Sequence, residues 1–445
     1  MSRPHFAYVF ERFPSFTQTF CAREVMELRR QGARLMLFSI RGTGDEAVRH
    51  FPAELRNAVI HVPPPGALTA EVEAMKKRRE LPDSVVLTLR HWGGRPDKTR
   101  VYEAAWIGER LKAAGVRHVH THFAGLGARA AWWIRQFYGC SYSFTGHAND
   151  LFCPDDATDL KLPRLVADAS CVVAVSDYTA VWLREKFPAD AGRIHRVYNG
   201  LDLEPITRAT AAAVKSDPPL ILSVGRLIEK KGFDDLIRAC AVLRDQGTAF
   251  ECRIVGGGPL ESALAGQIAA AGLTGRVHLE GPRSQEEITE LLGKAAIFAL
   301  PCVTEADGGR DVLPTVLMEA MAAGLPCVST RLAGVPEMVM ENETGLLTAE
   351  RDPTATAAAL AALLADPALS ARLGQGGLAL ARRRFAKEVT TAQLRLLLTA
   401  SGKVNGPPST PALALAHVRQ LSRRLSRTLR IPAHGKKPVS ARTGE

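Results

Sequence analysis

The stretch of sequence that decides the fold is PCVTEADGGRDVLPTVLMEAMAAGLPCVSTRLAGVPE, residues 301–337. It follows an apolar run at residues 296–300 and contains a second one at residues 326–329, and both have the length and composition of buried strands. Between them, Pro314 suits the first turn of a helix, because the N–H group that it lacks has no helical partner there. A strand, a Gly-rich loop, a helix and another strand in succession are typical of α/β proteins.

Two carboxylates in this stretch predict the kind of ligand. Asp311 lies on the loop and Glu319 eight positions later on the helix, so the two can hold opposite ends of one hydroxyl-rich molecule. The helix start and the backbone N–H groups between them can face an anion. A lone helix glutamate is ordinarily exposed, but the helix around Glu319 is otherwise apolar, so its carboxylate needs a partner such as ribose hydroxyls. This combination suits a nucleotide-sugar.

The same alternation of strand-like and helix-like segments extends along the whole chain. It restarts after a polar, Ala-rich stretch at residues 207–219. We therefore predict an α/β protein of two doubly wound, Rossmann-like domains that face each other across a cleft. The predicted ranges are 1–206 for an N-terminal Rossmann-like domain, 207–385 for a C-terminal Rossmann-like domain, 386–400 for a helix that crosses back to the first domain, and 401–445 for a basic, flexible tail.

Composition narrows the class of protein. The 445 residues are 46% hydrophobic, enough for a large core. No apolar run approaches the roughly 18 residues that span a bilayer, and Glu11 and Arg12 interrupt the segment where a signal peptide would have its apolar core. The eight cysteines are scattered without a CxxC pair, which indicates buried thiols in a reducing cytoplasm. Eight of the eleven net positive charges fall after residue 400, so nucleic acid is not a predicted partner.

Two glycine-containing loops of the second half follow predicted strands. In the first, Gly225 and Arg226 precede Lys231, which places a bidentate cation and a compact one beside a helix start that can bind phosphate. The second contains Gly256 and Gly257, where the backbone could be approached by a base or a phosphate. A solvated basic loop and a simple tight turn are the alternatives. The second loop lacks the GxGxxG spacing of a nicotinamide site.

Histidines follow two predicted strands of the first half. His118, His120 and His122 alternate along one strand, and His147 follows another. Their spacing spreads the three alternating rings along one sheet face, so we predict no metal site. We favour His122 or His147 as a polar group beside a reacting sugar, with a hydrogen-bonded structural histidine as the alternative for each.

These motifs together resemble the retaining, GT-B-fold glycosyltransferases of family four, and in particular the colanic acid and exopolysaccharide branch. The resemblance spans residues 5–390. Its segments, in family order, are RFPSFTQTFCAREVMELRRQG (12–32), HFAGLGARAAWWI (122–134), SFTGHANDLF (143–152), VAVSDYT (173–179), YNGLDL (198–203), LSVGRLIEKKGFDDLI (222–237), IVGGGP (254–259) and the stretch 301–337.

The resemblance implies that the domain at residues 1–206 binds the acceptor and the domain at residues 207–385 binds the nucleotide-sugar donor. It also implies a role for each candidate residue. Arg226 and Lys231 would neutralise the donor diphosphate, Asp311 would contact the donor sugar, and Glu319 would hold the ribose. His122 and His147 would lie near the transferred sugar. The predicted catalytic residues are His122, His147, Arg226, Lys231 and Asp311. The predicted donor-binding residues are Gly225, Arg226, Lys231, Gly256, Gly257, Asp311, Val312, Leu313, Pro314, Thr315 and Glu319.

The chain also departs from the family pattern. Asp311 stands where the first acid is commonly Glu, Val312 where many members have Gly, and residues 16–19 read FTQT in place of a Ser-Glu-Thr run. These departures affect donor choice and acceptor contacts without removing the carboxylate.

The expected activity is transfer of a hexose from a UDP- or GDP-linked sugar to a glycan or lipid-linked acceptor, in bacterial exopolysaccharide or lipopolysaccharide biosynthesis. No cofactor or metal is expected, because the cations can replace a metal and the adjacent acids at 155–156 and 234–235 do not form a DxD motif. The alternatives are a catalytically silent sugar- or nucleotide-binding partner of a polysaccharide assembly complex, and a phosphorylase or epimerase of similar fold.

The expected location is the cytoplasm, peripheral at the inner face of the plasma membrane if the basic tail docks on anionic lipid. The alternative for the tail is a solvated, disordered extension.

Overall fold

The computed structural model describes residues 5–15, 18–44, 50–91, 97–147, 149–152 and 160–402. The predicted tail beyond residue 402, the departure at residues 16 and 17 and the acids at 155–156 lie outside these ranges. The helices in chain order are α1 Thr19–Arg30, α2 Ala53–Asn57, α3 Pro65–Lys77, α4 Asp83–His91, α5 Lys98–Ala114, α6 Leu126–Tyr138, α7 Asn149–Phe152, α8 Leu162–Asp168, α9 Asp177–Lys186, α10 Leu203–Thr210, α11 Phe233–Asp245, α12 Glu261–Ala270, α13 Gln285–Lys294, α14 Thr315–Ala322, α15 Pro353–Ala365, α16 Pro367–Arg384 and α17 Lys387–Ser401.

The strands form two separate parallel sheets. The first contains β1 Phe6–Arg12, β2 Leu35–Arg41, β3 Val59–His61, β4 His118–His122, β5 Ser141–Gly146, β6 Cys171–Ala174 and β7 Ile194–Arg196, in the spatial order β3-β2-β1-β4-β5-β6-β7. The second contains β8 Leu220–Val224, β9 Glu251–Val255, β10 Val277–Gly281, β11 Ile297–Leu300, β12 Cys327–Thr330 and β13 Gly345–Thr348, in the order β10-β9-β8-β11-β12-β13.

The two sheets share one topology. In each, the first strand lies inside the sheet, the next two extend to one side, and the chain then returns to the other side of the first strand. Each sheet therefore reverses its strand order once, between β1 and β4 and between β8 and β11. The prediction of two doubly wound α/β domains is confirmed.

The sequence patterns did not predict two short edge strands, β3 and β13. β3 has three residues and β13 has four, and both lie at the edge of their sheet. Runs this short contain too few alternations to reveal a period. The strand expected at residues 326–329 begins one residue later, at Cys327.

Helix α10 spans the boundary that the sequence predicts between the two domains. The expected boundary between residues 206 and 207 falls inside α10, whose buried Leu203 and Ile206 belong to the core of the second domain. Since this helix packs on α13 and α14, the chain passes from one domain to the other at residues 197–202.

Helix α17 returns to the first domain. Leu394 and Leu398 are buried in a core shared with α1 and one face of the first sheet. Its last residue, Ser401, accepts a hydrogen bond through its carbonyl oxygen from the Ser141 hydroxyl at 3.2 Å. At its start, Lys387 N–H donates to the carbonyl of Leu201 at 2.9 Å, which ties the outgoing and returning connections together.

The structure shows the state of the described cysteines and how long and apolar the described helices are. All seven described cysteines are free and buried. Within the described ranges, no single helix is long and apolar enough to cross a membrane, although α15 and α16 pass that test jointly as a pair bent by 104°.

Candidate active site at the carboxyl ends of the strands

The residues selected from sequence follow strands at or next to the two points where strand order reverses. In open parallel sheets such points leave a crevice outside the carboxyl ends of the strands, where ligands bind. His122 is the last residue of β4. Gly225 follows β8 directly, and the loop that contains Asp311 follows β11. The fold therefore brings residues from distant parts of the sequence to corresponding ends of the two sheets.

Close backbone contacts shape the loop between β8 and α11. Gly256 has a φ of +141°, and a side-chain carbon added there would lie 1.9 Å from the carbonyl oxygen of Gly225. Gly232 has a φ of +66°, and an added carbon would lie 1.8 Å from the carbonyl oxygen of Pro301. Only glycine fits at either position. These contacts hold the two glycine loops against each other and against the end of β11.

Lys231 and Asp311 form an ion pair at the base of this loop. The ammonium group donates a short hydrogen bond to the carboxylate, and both side chains are largely buried. Burial alone would lower the pKa of Lys231, but Asp311 raises it above its usual value. The lysine is therefore a permanent cation at neutral pH, and two residues predicted to contact the donor satisfy each other in this structure.

Arg226 is the exposed cation of the site. Its side chain has no hydrogen bond or ion pair with any described residue. Its positive charge is close enough to Lys231 to work against the lysine's own protonation. A guanidinium held beside another cation without a carboxylate of its own is available for an anionic ligand.

The remaining predicted donor residues form the turn into α14. Val312 and Leu313 are buried, and Pro314 immediately precedes the helix in an extended conformation. The Val312 carbonyl accepts a hydrogen bond from Gly334 N–H at 3.0 Å, which ties this turn to the loop after β12. Thr315 begins the helix and is partly exposed. The substitution of Val for Gly thus places a side chain in the interior of the domain.

Glu319 is almost fully buried, with 9% of its surface exposed. Burial raises the pKa of its carboxyl group, and the charge of Arg23 opposes that rise. Arg23 belongs to α1 of the first domain and donates from Nε to the carbonyl of Gly200 at 3.3 Å. Arg23 of the first domain therefore limits the rise in the pKa of Glu319 in the second domain, close to the connection between the domains.

His118 and His120 have a structural role. His118 bonds the hydroxyls of Ser141 and Ser143, each at 2.8 Å. His120 bonds Ser143 at 2.7 Å and Thr145 at 3.1 Å. Burial lowers the pKa of His118 to about 3 and that of His120 well below its usual value. Both imidazoles are therefore neutral members of a polar ladder between β4 and β5.

His122 and His147 contact each other at the end of that ladder. Nδ1 of His122 lies 3.0 Å from Nε2 of His147, and Nε2 of His122 lies 3.0 Å from Oε1 of Glu24. Phe20 and Phe123 pack against the His147 ring, with centroids at 4.8 and 4.4 Å. The two histidines predicted to flank the sugar form one connected unit with an acid of α1.

Glu24, His120 and His122 are the described residues whose ligand atoms could hold a metal ion, because those atoms lie within 4.8 Å of one another. Each nitrogen of both histidines already has a hydrogen-bond partner. A metal there would have to replace several of these bonds.

Glu337 joins the two domains beside the site. Its carboxylate accepts hydrogen bonds from the backbone N–H groups of Asp177 at 2.7 Å and Tyr178 at 2.8 Å, at the start of α9 in the first domain. The Tyr198 hydroxyl donates to it at 2.9 Å. Arg310, one residue before Asp311, donates to the Tyr178 hydroxyl at 3.0 Å. Loops on either side of the candidate site therefore hold the same helix of the opposite domain.

This bridge gives a stability prediction. Glu337→Gln removes the charge that three donors share, and hydrogen bonds to charged groups contribute about 1.5–3 kcal/mol each. We expect the variant to lose about 2 kcal/mol of unfolding free energy, measured as a lower thermal transition. Glu204→Gln is the control, because Glu204 forms an exposed ion pair with Arg208, worth at most about 1 kcal/mol. Equal shifts for both variants would contradict the assignment.

Sequence reasoning missed Arg23, Glu24, Arg310 and Glu337. Arg23 and Glu24 lie within the quoted segment 12–32, and Arg310 and Glu337 lie within the stretch 301–337, so the resemblance was the available signal for all four. Arg23, Arg310 and Glu337 act between domains, and nothing in the local sequence around them predicts a partner more than a hundred residues away.

Two parallel sheets of this topology, with a site at corresponding strand ends, define the GT-B class. Two family models match in tandem: Glycosyltransferase Family 4 over residues 18–205 and Glycosyl transferases group 1 over residues 208–379. Together they cover nearly all of the described chain. The protein belongs to the family 4, group 1 glycosyltransferases.

The individual similarities agree with this assignment. The chain is 40% identical to the amylovoran biosynthesis glycosyltransferase AmsK of Erwinia amylovora over 202 residues, which are 44% of this chain and 48% of AmsK. It is 43% identical to the putative colanic acid biosynthesis glycosyltransferase WcaL of Escherichia coli over 165 residues, which are 37% of this chain and 40% of WcaL. Each match spans less than half of the relative. The structure of HepE from Anabaena in complex with UDP superposes with a TM-score of 0.64 at 17% identity, covering 89% of this chain and all of HepE, which shows the shared fold.

Proposed function

We propose that this chain transfers a hexose from a nucleoside diphosphate sugar to a glycan or lipid-linked acceptor in bacterial exopolysaccharide biosynthesis. The observation that carries the proposal is the Lys231–Asp311 ion pair beside Arg226 at the strand-order reversal of the second sheet, followed by the buried Glu319 on α14. Two cations and two acids match the charges and hydroxyls of such a donor. The names of AmsK and WcaL support an exopolysaccharide or colanic acid product.

The leaving diphosphate determines what the cations do. Negative charge grows on it as the bond to the sugar breaks, and groups already in place stabilise that charge without reorganising. Arg226 offers a fork of N–H donors, and Lys231 adds a second positive charge. The start of α14 adds the partial positive charge of a helix N-terminus. In this proposal the cations take the place of a metal ion.

The acids bind hydroxyl groups. Asp311 would turn from Lys231 toward the sugar, or hold both at once, and Glu319 would accept hydrogen bonds from the ribose. Attack by the acceptor on the same face as the departing phosphate retains the anomeric configuration, and the phosphate itself removes the acceptor proton. No enzymic nucleophile is assigned. Contact between the domains would exclude water and limit donor hydrolysis.

Glu319 gives a pH prediction. Because its pKa is raised, the carboxyl group takes up a proton at a higher pH than an ordinary glutamate does. We expect nucleoside diphosphate affinity to fall as the pH is lowered from about 7.5 to about 5, since a neutral carboxyl is a weaker acceptor. Titration calorimetry of wild type and Glu319→Gln separates this effect from titration of the ligand, because the variant retains only the latter. Identical pH dependence in both proteins would count against the ribose role.

The departures at Asp311 and Val312 favour a second candidate, a catalytically silent binder of sugar or nucleotide. The discriminating experiment incubates purified protein with UDP- and GDP-sugars, with and without a lipid-linked saccharide acceptor. Release of the nucleoside diphosphate with a glycosylated product supports the transferase, and NMR of the product's anomeric centre tests retention. Binding without hydrolysis or transfer of any donor would support the silent binder, and isomerised donor alone would identify an epimerase.

A further inference from the structure

A side-chain bridge joins the two loops that carry the proposed donor residues. One nitrogen of the Arg351 guanidinium, Nη2, donates to Oε1 of Glu229 at 2.9 Å and to the carbonyl oxygen of Thr304 at 2.8 Å. Glu229 begins the single 3-10 turn that contains Lys231, in the loop after β8. Thr304 lies on the loop between β11 and α14, which also contains Asp311. Arg351 itself follows β13, the edge strand of the second sheet.

The residue before Arg351 holds the same part of the loop after β11. Oε2 of Glu350 accepts a hydrogen bond from Thr304 N–H at 2.6 Å, so both backbone groups of Thr304 are bonded to side chains that follow β13. Directly before Thr304, Val303 N–H donates to the carbonyl of Lys230 at 3.1 Å. Directly after it, the Glu305 carboxylate lies 3.8 Å from the Lys230 ammonium. The start of this loop is therefore fixed on two sides.

Arg351 forms the bridge from a backbone conformation that favours glycine. Its φ is +58°, in the left-handed region, where a side chain raises the free energy of the folded state. Its ion pair compensates little for this strain, because the side chains of Arg351 and Glu229 are 50% and 47% exposed, and exposed ion pairs contribute little to stability. Stability therefore does not explain an arginine at this position.

The spacing of the two loops determines where the proposed donor residues meet. Lys231 lies on one loop and Asp311 on the other, and their side chains are bonded to each other. A displacement of either loop moves one of the two groups relative to the other. In an active site, a misplacement of about 1 Å can reduce the rate about 100-fold. A residue that sets this spacing therefore affects transfer without touching the donor.

We propose that Arg351 is a positioning residue that sets the spacing of the loops after β8 and β11, and so holds Lys231 and Asp311 where the donor diphosphate and sugar bind. The inference rests on the proposed glycosyl transfer, which assigns the donor to these two residues. Arg351 acts through the loops, and Glu350 supports it by fixing the N–H group of Thr304.

The decisive variant is Arg351→Gly, because glycine adopts a φ of +58° without strain. The substitution removes the bridge and relieves the backbone together, so the thermal transition should stay the same or rise while transfer falls. With UDP-glucose or GDP-mannose as donor and a lipid-linked saccharide as acceptor, we expect kcat/KM for the donor to fall about 10- to 100-fold. The acceptor KM should not change. A residue that only stabilised the fold would lower the transition and the activity together.

Arg79→Gly is the matched control. Arg79 is also exposed and has a φ of +59°, and it lies between α3 and α4 in the first domain. The same substitution relieves the same backbone strain there, so the transition should stay or rise, and transfer should equal that of wild type. Arg351→Lys keeps a cation at the bridge but loses the planar fork, and its activity should lie between those of wild type and Arg351→Gly.

Amide hydrogen exchange tests the bridge in the full, substrate-free chain. A peptide that covers residues 301–311 should exchange about two- to tenfold faster in Arg351→Gly than in wild type, the effect of losing about one hydrogen bond. Arg79→Gly should leave this peptide unchanged. A double-mutant cycle then asks whether Arg351 acts through Asp311: Arg351→Gly should reduce transfer by a smaller factor when Asp311→Asn is already present.

Three results would overturn the inference. The first is unchanged exchange of residues 301–311 in Arg351→Gly, and the second is faster exchange together with wild-type transfer. The third is an equal effect of Arg351→Gly with and without Asp311→Asn. Absence of transfer by the wild type with every UDP- and GDP-sugar would instead contradict the proposed function, and the exchange result would still decide whether Arg351 holds the two loops.

Discussion

Replacing Arg226 with alanine is expected to reduce transfer about 100- to 1,000-fold. Removing one preorganised group that stabilises charge in a transition state has an effect of this size. Arg226 is exposed and has no described partner, so its loss should leave the fold intact. Steady-state kinetics should show most of the reduction in kcat, because negative charge on the diphosphate is greatest as the bond breaks.

Arg382→Ala is the matched control. Arg382 is also exposed and unpaired among the described residues, and it lies in the last turn of α16, outside the strand-end loops. It should retain wild-type kinetics. If Arg226→Ala were as active as Arg382→Ala, the assignment of the phosphate site would be wrong.

Lys231→Ala is expected to reduce transfer at least as much as Arg226→Ala does, for two reasons that can be tested separately. The variant loses a cation that we propose faces the diphosphate, and it leaves the partly buried Asp311 carboxylate unpaired. We expect transfer to fall about 100-fold or more. In an Asp311→Asn background, Lys231→Ala should reduce transfer by a smaller factor, because the repulsion between the Asp311 carboxylate and the diphosphate is already gone.

A double-mutant cycle over Lys231 and Asp311 therefore measures their coupling. Residues in direct contact typically show interaction free energies of about 0.5–3 kcal/mol. Circular dichroism and thermal unfolding of all four proteins distinguish lost catalysis from lost structure. Strictly additive effects on kcat/KM would show that the ion pair has no part in donor binding.

The position of the proposed donor residues at strand ends was predictable from sequence because its signals are local. Gly225, Arg226, Lys231 and Gly256 lie within a few residues of strands that are recognisable by their apolar runs. The acid pair Asp311 and Glu319 was recognisable because the helix around Glu319 is otherwise apolar. In a parallel sheet the carboxyl ends of all strands lie at one edge, so residues that follow different strands come to the same edge of the sheet.

The contacts that depend on how the domains meet were not predictable. Arg23 influences Glu319 across nearly three hundred residues, and Glu337 receives its hydrogen bonds from α9 in the other domain. Each of these side chains resembles an ordinary surface charge in its own segment. In the same way, helix α10 follows the first domain in sequence but packs on the second.

For the histidines, the shared sheet face was predictable from sequence, but the role of each side chain was not. Their alternation along β4 correctly placed His118, His120 and His122 on one face. Sequence spacing left open which of them are structural. The hydrogen bonds of His118 and His120 to three hydroxyls of β5 decide that these two are structural, whereas His122 continues toward Glu24 and His147.

The most direct measurement of the central claim is equilibrium titration of UDP and of GDP into wild type, Arg226→Ala and Glu319→Gln. We expect one of the two nucleotides to bind wild type with one site per chain. We also expect each variant to weaken that binding about tenfold or more, because a charge-assisted contact is lost. Binding of neither nucleotide to wild type, or equal binding to all three proteins, would contradict a donor site at these residues.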